Sequence, residues 1–282
     1  MDIHDYSTDP EGKKMGKVIF YDVDGTLFRR EIRIPESTVK AIKECDRQGH
    51  KAILCTGRGA CTLPAEVDDL PLHGRICQCG TYVSLNGDVL TNAGVSGPDC
   101  REILRILHEY NCPFFVENTD HYYVDPDFAP GSFKDILQVM EKNYPGKYCP
   151  VSQLPDFIQK MTGYPEDKSI LPEMKEVLSP WFNVIIHDEY EYVEITLKGY
   201  TKGTGVRQIL EGLGAAKDEA IAFGDSGNDI PMLEAVGLGI VMGDAPEELK
   251  ARYRVTDSIY SDGIAKALIG LGLIDGAVCH IP

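Results

Sequence analysis

No C-x-x-C pair occurs among the nine cysteines of this 282-residue chain, so neither a zinc ribbon nor a disulfide framework is signalled. The odd count points instead to a reduced, cytoplasmic protein. The closest pair, Cys77 and Cys79, reads as two residues on one face of a buried strand rather than as metal ligands. An apolar h-region is missing from the polar N-terminal stretch MDIHDYSTDPEGKKMGK, and no later stretch reaches the ~20 apolar residues of a membrane span. No membrane partner is expected. Internal repeats and low-complexity tracts are also missing, with 17 prolines and 28 glycines scattered along the chain. Basic residues are few relative to acidic ones, 28 against 44, which leaves a formal charge of −16. That balance argues against a nucleic-acid partner, whose phosphates need a basic track, while leaving room for a local cluster of Lys and Arg around one small anion.

What is present is a chain long enough for two modest domains with real cores, 43% of its residues being hydrophobic. Val18-Ile19-Phe20-Tyr21 is a short apolar run ending in Asp22-Val23-Asp24-Gly25-Thr26, the pattern of a buried strand entering a tight turn. A helical segment opened by Pro35-Glu36 and stopped by Gly49 follows, then a second buried strand, Ala52–Cys55. This β-α-β rhythm with continuously apolar strands predicts a doubly wound, Rossmann-like parallel sheet covered on both faces. After Arg58 the pattern changes. Ile76–Val83 and Asp88–Leu90 read as strands flanking an Asn86-Gly87 turn, a hairpin foreign to a parallel sheet. Strands are also expected at Phe114–Glu117, Tyr122–Val124, Phe182–His187 and Tyr192–Leu197, with helices near Asp99–Tyr110, Phe133–Lys142 and Glu173–Leu178. From Lys202 the α/β rhythm returns, with strands at Ala220–Phe223 and Gly239–Met242. The expected organisation is a discontinuous core domain, residues 1–85 and 199–282, interrupted by an inserted α+β domain over 86–198.

Asp22 and Asp24 lie two apart at the carboxyl end of the first strand, where open α/β sheets place their ligands. A second acidic cluster, Gly224-Asp225-Ser226-Gly227-Asn228-Asp229, follows Ala220–Phe223 in the same position. Crowded carboxylates want a cation, and oxygen-only donors favour Mg²⁺ over zinc. An EF-hand fails, because the loop glycine it needs would be Leu27. The aspartic-protease triplet spelled by Asp225-Ser226-Gly227 has no second copy, and neither a P-loop nor an H-E-x-x-H sequence is present. Thr56-Gly57, at the end of the second strand, offers a hydroxyl and backbone N–H groups, and Lys202 opens a helix whose N-terminus attracts anions. Four separate strand or helix ends thus supply carboxylate, hydroxyl, ammonium and carboxylate to one crevice, the elements of a phosphate cradle.

These motifs together resemble the haloacid dehalogenase-like phosphatases of the Cof type, which carry a large cap between their second and third motifs. The matching residues are Asp22–Leu27 (DVDGTL), Thr56–Arg58 (TGR), Lys202-Gly203 and Gly224–Leu233 (GDSGNDIPML). The resemblance implies that Asp22 is a nucleophile forming an aspartyl phosphate and that Asp24 is the general acid and base. It implies that Asp22, Asp24 through its backbone carbonyl, and Asp225 hold Mg²⁺, with Asn228 and Asp229 supporting the metal shell. Thr56, Gly57 and Lys202 would bind the phosphate, and Arg58 and His121 are the candidates for substrate or cap contact. The chain departs from the family pattern at Cys79-Gly80-Thr81, where Asn-Gly-Ala is usual, and at Asp244, where Asn is usual. The expected activity is Mg²⁺-dependent hydrolysis of a small phosphorylated metabolite, with sugar phosphates as the expected class, by a monomer or weak homodimer. A phosphomutase using the same intermediate, and a non-catalytic sensor of sugar phosphates, are the alternatives.

Overall fold

The computed structural model describes residues 16–187 and 192–278. Two compact units divide the chain. The first comprises the residues up to Gly57, Pro64–Thr91 and those from Thr201 on; the second comprises Arg58–Leu63 and Asn92–Tyr200. Among the described residues no helix is long and apolar enough to cross a membrane.

The first unit is built on an eight-stranded sheet. Its spatial order is Arg254–Val255, Leu238–Val241, Ala220–Gly224, Val18–Tyr21, Lys51–Cys55, Leu72–Cys77, Tyr82–Leu85 and Asp88–Asn92. The first six run parallel, and Leu72–Cys77 pairs antiparallel with Tyr82–Leu85. Val18–Tyr21 is central and wholly buried, because every one of its residues is apolar and period-2 geometry sends alternate side chains to opposite faces. Val18 and Phe20 join a core with Val206 and Ile209 of the helix Lys202–Leu213 and Met232 and Leu233 of Ile230–Ala235. Ile19 and Tyr21 point the other way and are equally buried, on the side that takes the helices Glu36–Arg47 and Gly263–Gly270, which pack together. This is the expected doubly wound α/β arrangement.

Two local expectations are corrected. The apolar run Ile76–Val83 is not one strand: it breaks at Gln78–Gly80, where Cys79 (φ 54°) and Gly80 (φ 97°) take left-handed backbone. Cys77 ends one strand and Cys79 lies in the turn, so the two do not share a strand face. Gly80 is required there, since a Cβ would stand 2.4 Å from the Thr201 carbonyl oxygen. The Asn86-Gly87 hairpin, read as the mark of a second domain, extends the first unit's own sheet, because Asp88–Asn92 returns alongside Tyr82–Leu85. The units therefore divide at 91/92 and 200/201 rather than 85/86 and 198/199, and Arg58–Leu63 is counted with the second.

The second unit has a six-stranded sheet in the order Phe182–His187, Tyr192–Leu197, Lys160–Gly163, Phe114–Glu117, Tyr122–Val124 and Tyr148–Pro150, antiparallel except for its last pair. One face is apolar: Val116, Met161 and Ile195 pack with Ile103, Ile106 and Leu107 of the helix Pro98–Glu109 and with Met174 and Leu178 of Leu171–Leu178. The other face is divided. Phe115, Tyr122 and Val124 pack with the helix Gly131–Asn143 through Phe133, Leu137 and Met140. Beside them lie buried Glu117, Lys160, Thr162, Glu194 and Thr196. The strand Lys160–Gly163, central in this sheet, is absent from the sequence-based reading. Its alternating Lys, Met, Thr and Gly present one apolar and one polar face and produce no hydrophobic run.

Candidate active site

Asp22 is placed by the sheet itself. Its N–H donates to the Phe223 carbonyl at 3.0 Å, prolonging the ladder by one residue, and the turn beyond folds back on Val23, whose carbonyl accepts from Leu27 and Phe28 at 3.0 and 2.8 Å. Gly25 is obligatory in this turn. Its φ is +86°, and a Cβ there would lie 2.2 Å from an Asp225 carboxylate oxygen. Thr26 ties the two acidic loops together by donating to Asp225 Oδ1 at 3.1 Å. Motif spacing alone does not announce this contact, and the sequence-based reading missed it.

Lys202 arrives from a third element. Thr201 caps the helix Lys202–Leu213 reciprocally with Thr204: the Thr201 hydroxyl accepts from Thr204 N at 3.2 Å, and Thr204 Oγ1 accepts from Thr201 N at 3.0 Å. Gly203 lets this helix approach the Pro231 carbonyl, which a Cβ would meet at 2.2 Å. The Lys202 side chain, 1% exposed, extends to Asp22 Oδ1 and Asp229 Oδ1, both 2.6 Å from Nζ. The other oxygen of Asp229 accepts the backbone N–H groups of Asp225 and Ser226 at 2.9 and 3.0 Å.

One oxygen from each of Asp22, Asp225 and Asp229 falls within 4.8 Å of the others. Three carboxylates thus gather together, two of them on the one ammonium. Burial, then the Asp229 charge, pushes the Asp22 carboxyl well above the usual range against the pull of Lys202, and Asp225 and Asp24 add to the rise. Asp225 is pushed up to about 6, again by burial and then by Asp229. Burial draws the Lys202 ammonium down, but Asp22 and Asp229 outweigh it and hold the ammonium well above its ordinary value. This excess of negative charge on oxygen donors fits a hard divalent cation such as Mg²⁺, which accepts one or two carboxylates and keeps much of its water. Asp229, with one oxygen on Lys202 and the other on two N–H groups, suits orientation better than coordination. That leaves Asp22 and Asp225 as the carboxylates best suited to the ion.

The remaining candidates are distributed as follows. The Asp24 side chain is exposed on the turn that follows Asp22. Thr56 is 1% exposed at the end of its strand, its N–H on the Ile76 carbonyl at 2.8 Å and its carbonyl accepting from Cys79 N at 3.2 Å. Asn228 accepts from the Ser226 hydroxyl at 3.0 Å, so the bond seen supports the loop. Asp244, where the family usually has Asn, accepts from Ile259 N at 3.2 Å. Asp22, Asp24, Thr56, Gly57, Lys202, Asp225, Asn228 and Asp229 all belong to the first unit, whereas Arg58 and His121 belong to the second. Arg58 donates to the Thr62 carbonyl at 2.9 Å and to the Tyr144 hydroxyl. His121 lies in a turn in which Asn118 N donates to its carbonyl and its own N–H donates to Asn118 Oδ1.

A doubly wound α/β sheet thus carries a buried Asp–Lys–Asp set at its strand ends, and a second unit is inserted in its chain. The chain belongs to the haloacid dehalogenase-like hydrolases, whose family model matches residues 19–268. It is 32% identical over 269 residues to YkrA of Bacillus subtilis, covering 92% of this chain and 98% of that protein. It is 27% identical over 257 residues to the B. subtilis 5-amino-6-(5-phospho-D-ribitylamino)uracil phosphatase YcsE, covering 89% and 94%. Among solved structures it is similar to BT4131, a sugar phosphatase of haloacid dehalogenase subclass IIB, with a TM-score of 0.76 and 26% identity over 92% of this chain and all of that one.

Proposed function

We propose that this hydrolase is a Mg²⁺-dependent phosphatase of small phosphorylated metabolites, with sugar or polyol phosphates as its substrate class, acting through an aspartyl phosphate on Asp22. The observation that carries the reading is the fixation of Asp22 by Lys202, itself fixed by Asp229, at 2.6 Å on each side. A carboxylate attacks a phosphate dianion only where its approach is fixed and the accumulated negative charge is balanced. The similarity to a phosphatase of a phosphoribityl compound and to a sugar phosphatase supports the substrate class.

In the first half-reaction an Asp22 oxygen forms a bond to phosphorus while the bond to the leaving oxygen breaks. Asp24, exposed two residues on, delivers a proton to the departing alkoxide. In the second half Asp24 takes a proton from water, whose oxygen attacks the same phosphorus and returns Asp22 as a carboxylate and the product as inorganic phosphate. Thr56, Gly57 and Lys202 bind the phosphoryl oxygens and hold them in line. Mg²⁺, held by Asp22, Asp225 and the Asp24 carbonyl, would neutralise the phosphoryl charge.

A panel of phosphorylated sugars, polyols, nucleotides and pyridoxal phosphate, assayed for released inorganic phosphate with and without Mg²⁺, tests the proposal. Metal-dependent release with a preference for sugar or polyol phosphates is expected. Transfer of the group to an acceptor without release would identify a mutase, and binding without turnover a sensor.

A further inference from the structure

The turn that carries Asp24 continues, within the first unit, into a short hairpin, Arg29-Arg30-Glu31-Ile32-Arg33. Gly25 N donates to the Phe28 carbonyl at 3.0 Å, and Asp24 and Phe28 are paired by a β-bridge, so Arg29 starts one residue from the backbone beside the general acid. The hairpin closes through its two ends. Arg29 N donates to the Arg33 carbonyl at 3.3 Å and Arg33 N to the Arg29 carbonyl at 2.7 Å, with Arg33 in left-handed backbone at φ 61°. Three arginines thus crowd one turn of a chain whose formal charge is −16.

These arginines are not equivalent. Arg33 serves the fold: its guanidinium pairs with Glu66 and lies 4.9 Å from the centre of the Phe28 ring. Arg29 has no such commitment. Its Nε is buried with no hydrogen-bond partner, and among the described residues no carboxylate pairs with its guanidinium, although the residue keeps partial contact with solvent. A covered donor left unbonded is the exception in a folded chain and asks for an acceptor. Its charge is felt at the site. Burial and then Asp229 push the Asp225 carboxyl up, while Lys202, Thr26 and Arg29 pull it back. Arg29 therefore stands within electrostatic reach of Asp225, on the segment that continues from Asp24.

We propose that Arg29 is a specificity-determining residue that binds a second anionic group on the leaving side of the substrate, a carboxylate or a further phosphate. The substrate class narrows accordingly to sugar or polyol phosphates that carry such a group. Thr56, Gly57 and Lys202 already serve the transferred phosphoryl group, which leaves Arg29 for another anion. A guanidinium reads a carboxylate or phosphate through two parallel hydrogen bonds, and its planar fork suits either. The inference rests on the phosphatase reading, in which Asp24 protonates the leaving group that Arg29 would hold.

Two matched pairs of substrates test it, by kcat/KM on the full chain in Mg²⁺. Glucitol 6-phosphate and 6-phosphogluconate differ by a carboxylate, and fructose 6-phosphate and fructose 1,6-bisphosphate by a phosphate. The wild type is expected to favour the doubly anionic member about tenfold in at least one pair, and the pair that shows it identifies the group. Arg29→Gln should bring that ratio close to one. An arginine that only offset the acidic loops would lower both members alike, so equal losses overturn the inference. A preference that survives the substitution, or a wild type with no preference in either pair, overturns it as well. If Arg29→Gln does not fold, Arg29→Lys decides the matter: a point charge cannot hold two oxygens in parallel, so the ratio should fall about threefold, and an unchanged ratio overturns the inference. Should the wild type hydrolyse no phosphomonoester, the proposed function fails, while calorimetric affinities of the same four compounds for wild type and Arg29→Gln still read the role of Arg29.

Discussion

Asp229 binds the Lys202 ammonium at 2.6 Å on one oxygen and closes its own loop with the other, so a single buried carboxylate joins the helix Lys202–Leu213 to the turn after Ala220–Gly224. Lys202→Ala would leave Asp22 and Asp229 buried without their counter-charge. Breaking a buried pair in this way costs about 3–5 kcal/mol, and a fall in Tm of roughly 10 °C is expected in thermal denaturation. A variant as stable as wild type would show that the ammonium does not hold these loops.

Asp22→Asn is expected to keep the far-ultraviolet circular dichroism of wild type and to lose about 10⁴-fold or more in turnover, since an amide cannot attack phosphorus. Peptide mapping of acid-quenched wild-type protein should place the trapped phosphoryl group on the segment 18–30. A label elsewhere would contradict the nucleophile assignment.

For Asp24→Asn the decisive readout is the leaving group. An alkyl phosphate needs its oxygen protonated on departure and a nitrophenyl phosphate much less, so the loss in kcat/KM, of the order of 10²–10⁴ for a general acid, should be larger for a sugar phosphate than for the aryl ester. Equal losses on both substrates would place Asp24 outside proton transfer.

Added Mg²⁺ should raise the Tm of chelator-treated protein in a concentration-dependent way, by up to about 2.7 kcal/mol of stability at a hundredfold excess over Kd. Asp225→Asn should remove most of that gain, and a full gain in the variant would move the metal site away from Asp225.

A pH dependence is expected away from the active site. Glu44 is held down to about 2 by hydrogen bonds from Arg47 and Gln48. Its folded-state value lies below the ordinary 4.5, so the stabilisation is present above about pH 4.5 and is lost as the pH falls towards 2. The Tm difference between wild type and Glu44→Gln should therefore be largest near neutrality and shrink steadily below about pH 4.5. A difference that grows on acidification would contradict the assignment.

How much of this was legible in the sequence depended on what each segment buries. Val18–Tyr21 and Ala220–Gly224 are apolar throughout because both their faces are covered, so their runs and the acidic turns after them stand out. Lys160–Gly163 buries one polar and one apolar face and gives no such run, which hides the centre of the inserted sheet. The break at Gln78–Gly80 was hidden for a different reason: it follows from the approach of the distant Thr201 carbonyl to Gly80, a tertiary constraint that local pattern does not carry. Asp22, Lys202 and Asp225, which the structure brings close to Asp229, lie in motifs that stand out in the sequence. Thr26 does not stand out in this way, because its bond to Asp225 exists only once separate parts of the chain have met.

The central pairing of the first sheet joins Val18 to Ala220. At synthesis rates of roughly 5–20 residues per second, the roughly 200 residues between them take on the order of 10–40 s to be made. Throughout that interval the partner on one edge of Val18–Tyr21 is still unmade, and every strand of the inserted sheet, all of them ending by Leu197, is synthesised before it. The nascent chain must therefore keep one of its most apolar segments from pairing with the wrong edge until translation is nearly complete. Chains truncated before Gly224 should accumulate as aggregates or in the grip of chaperones rather than as shortened enzymes.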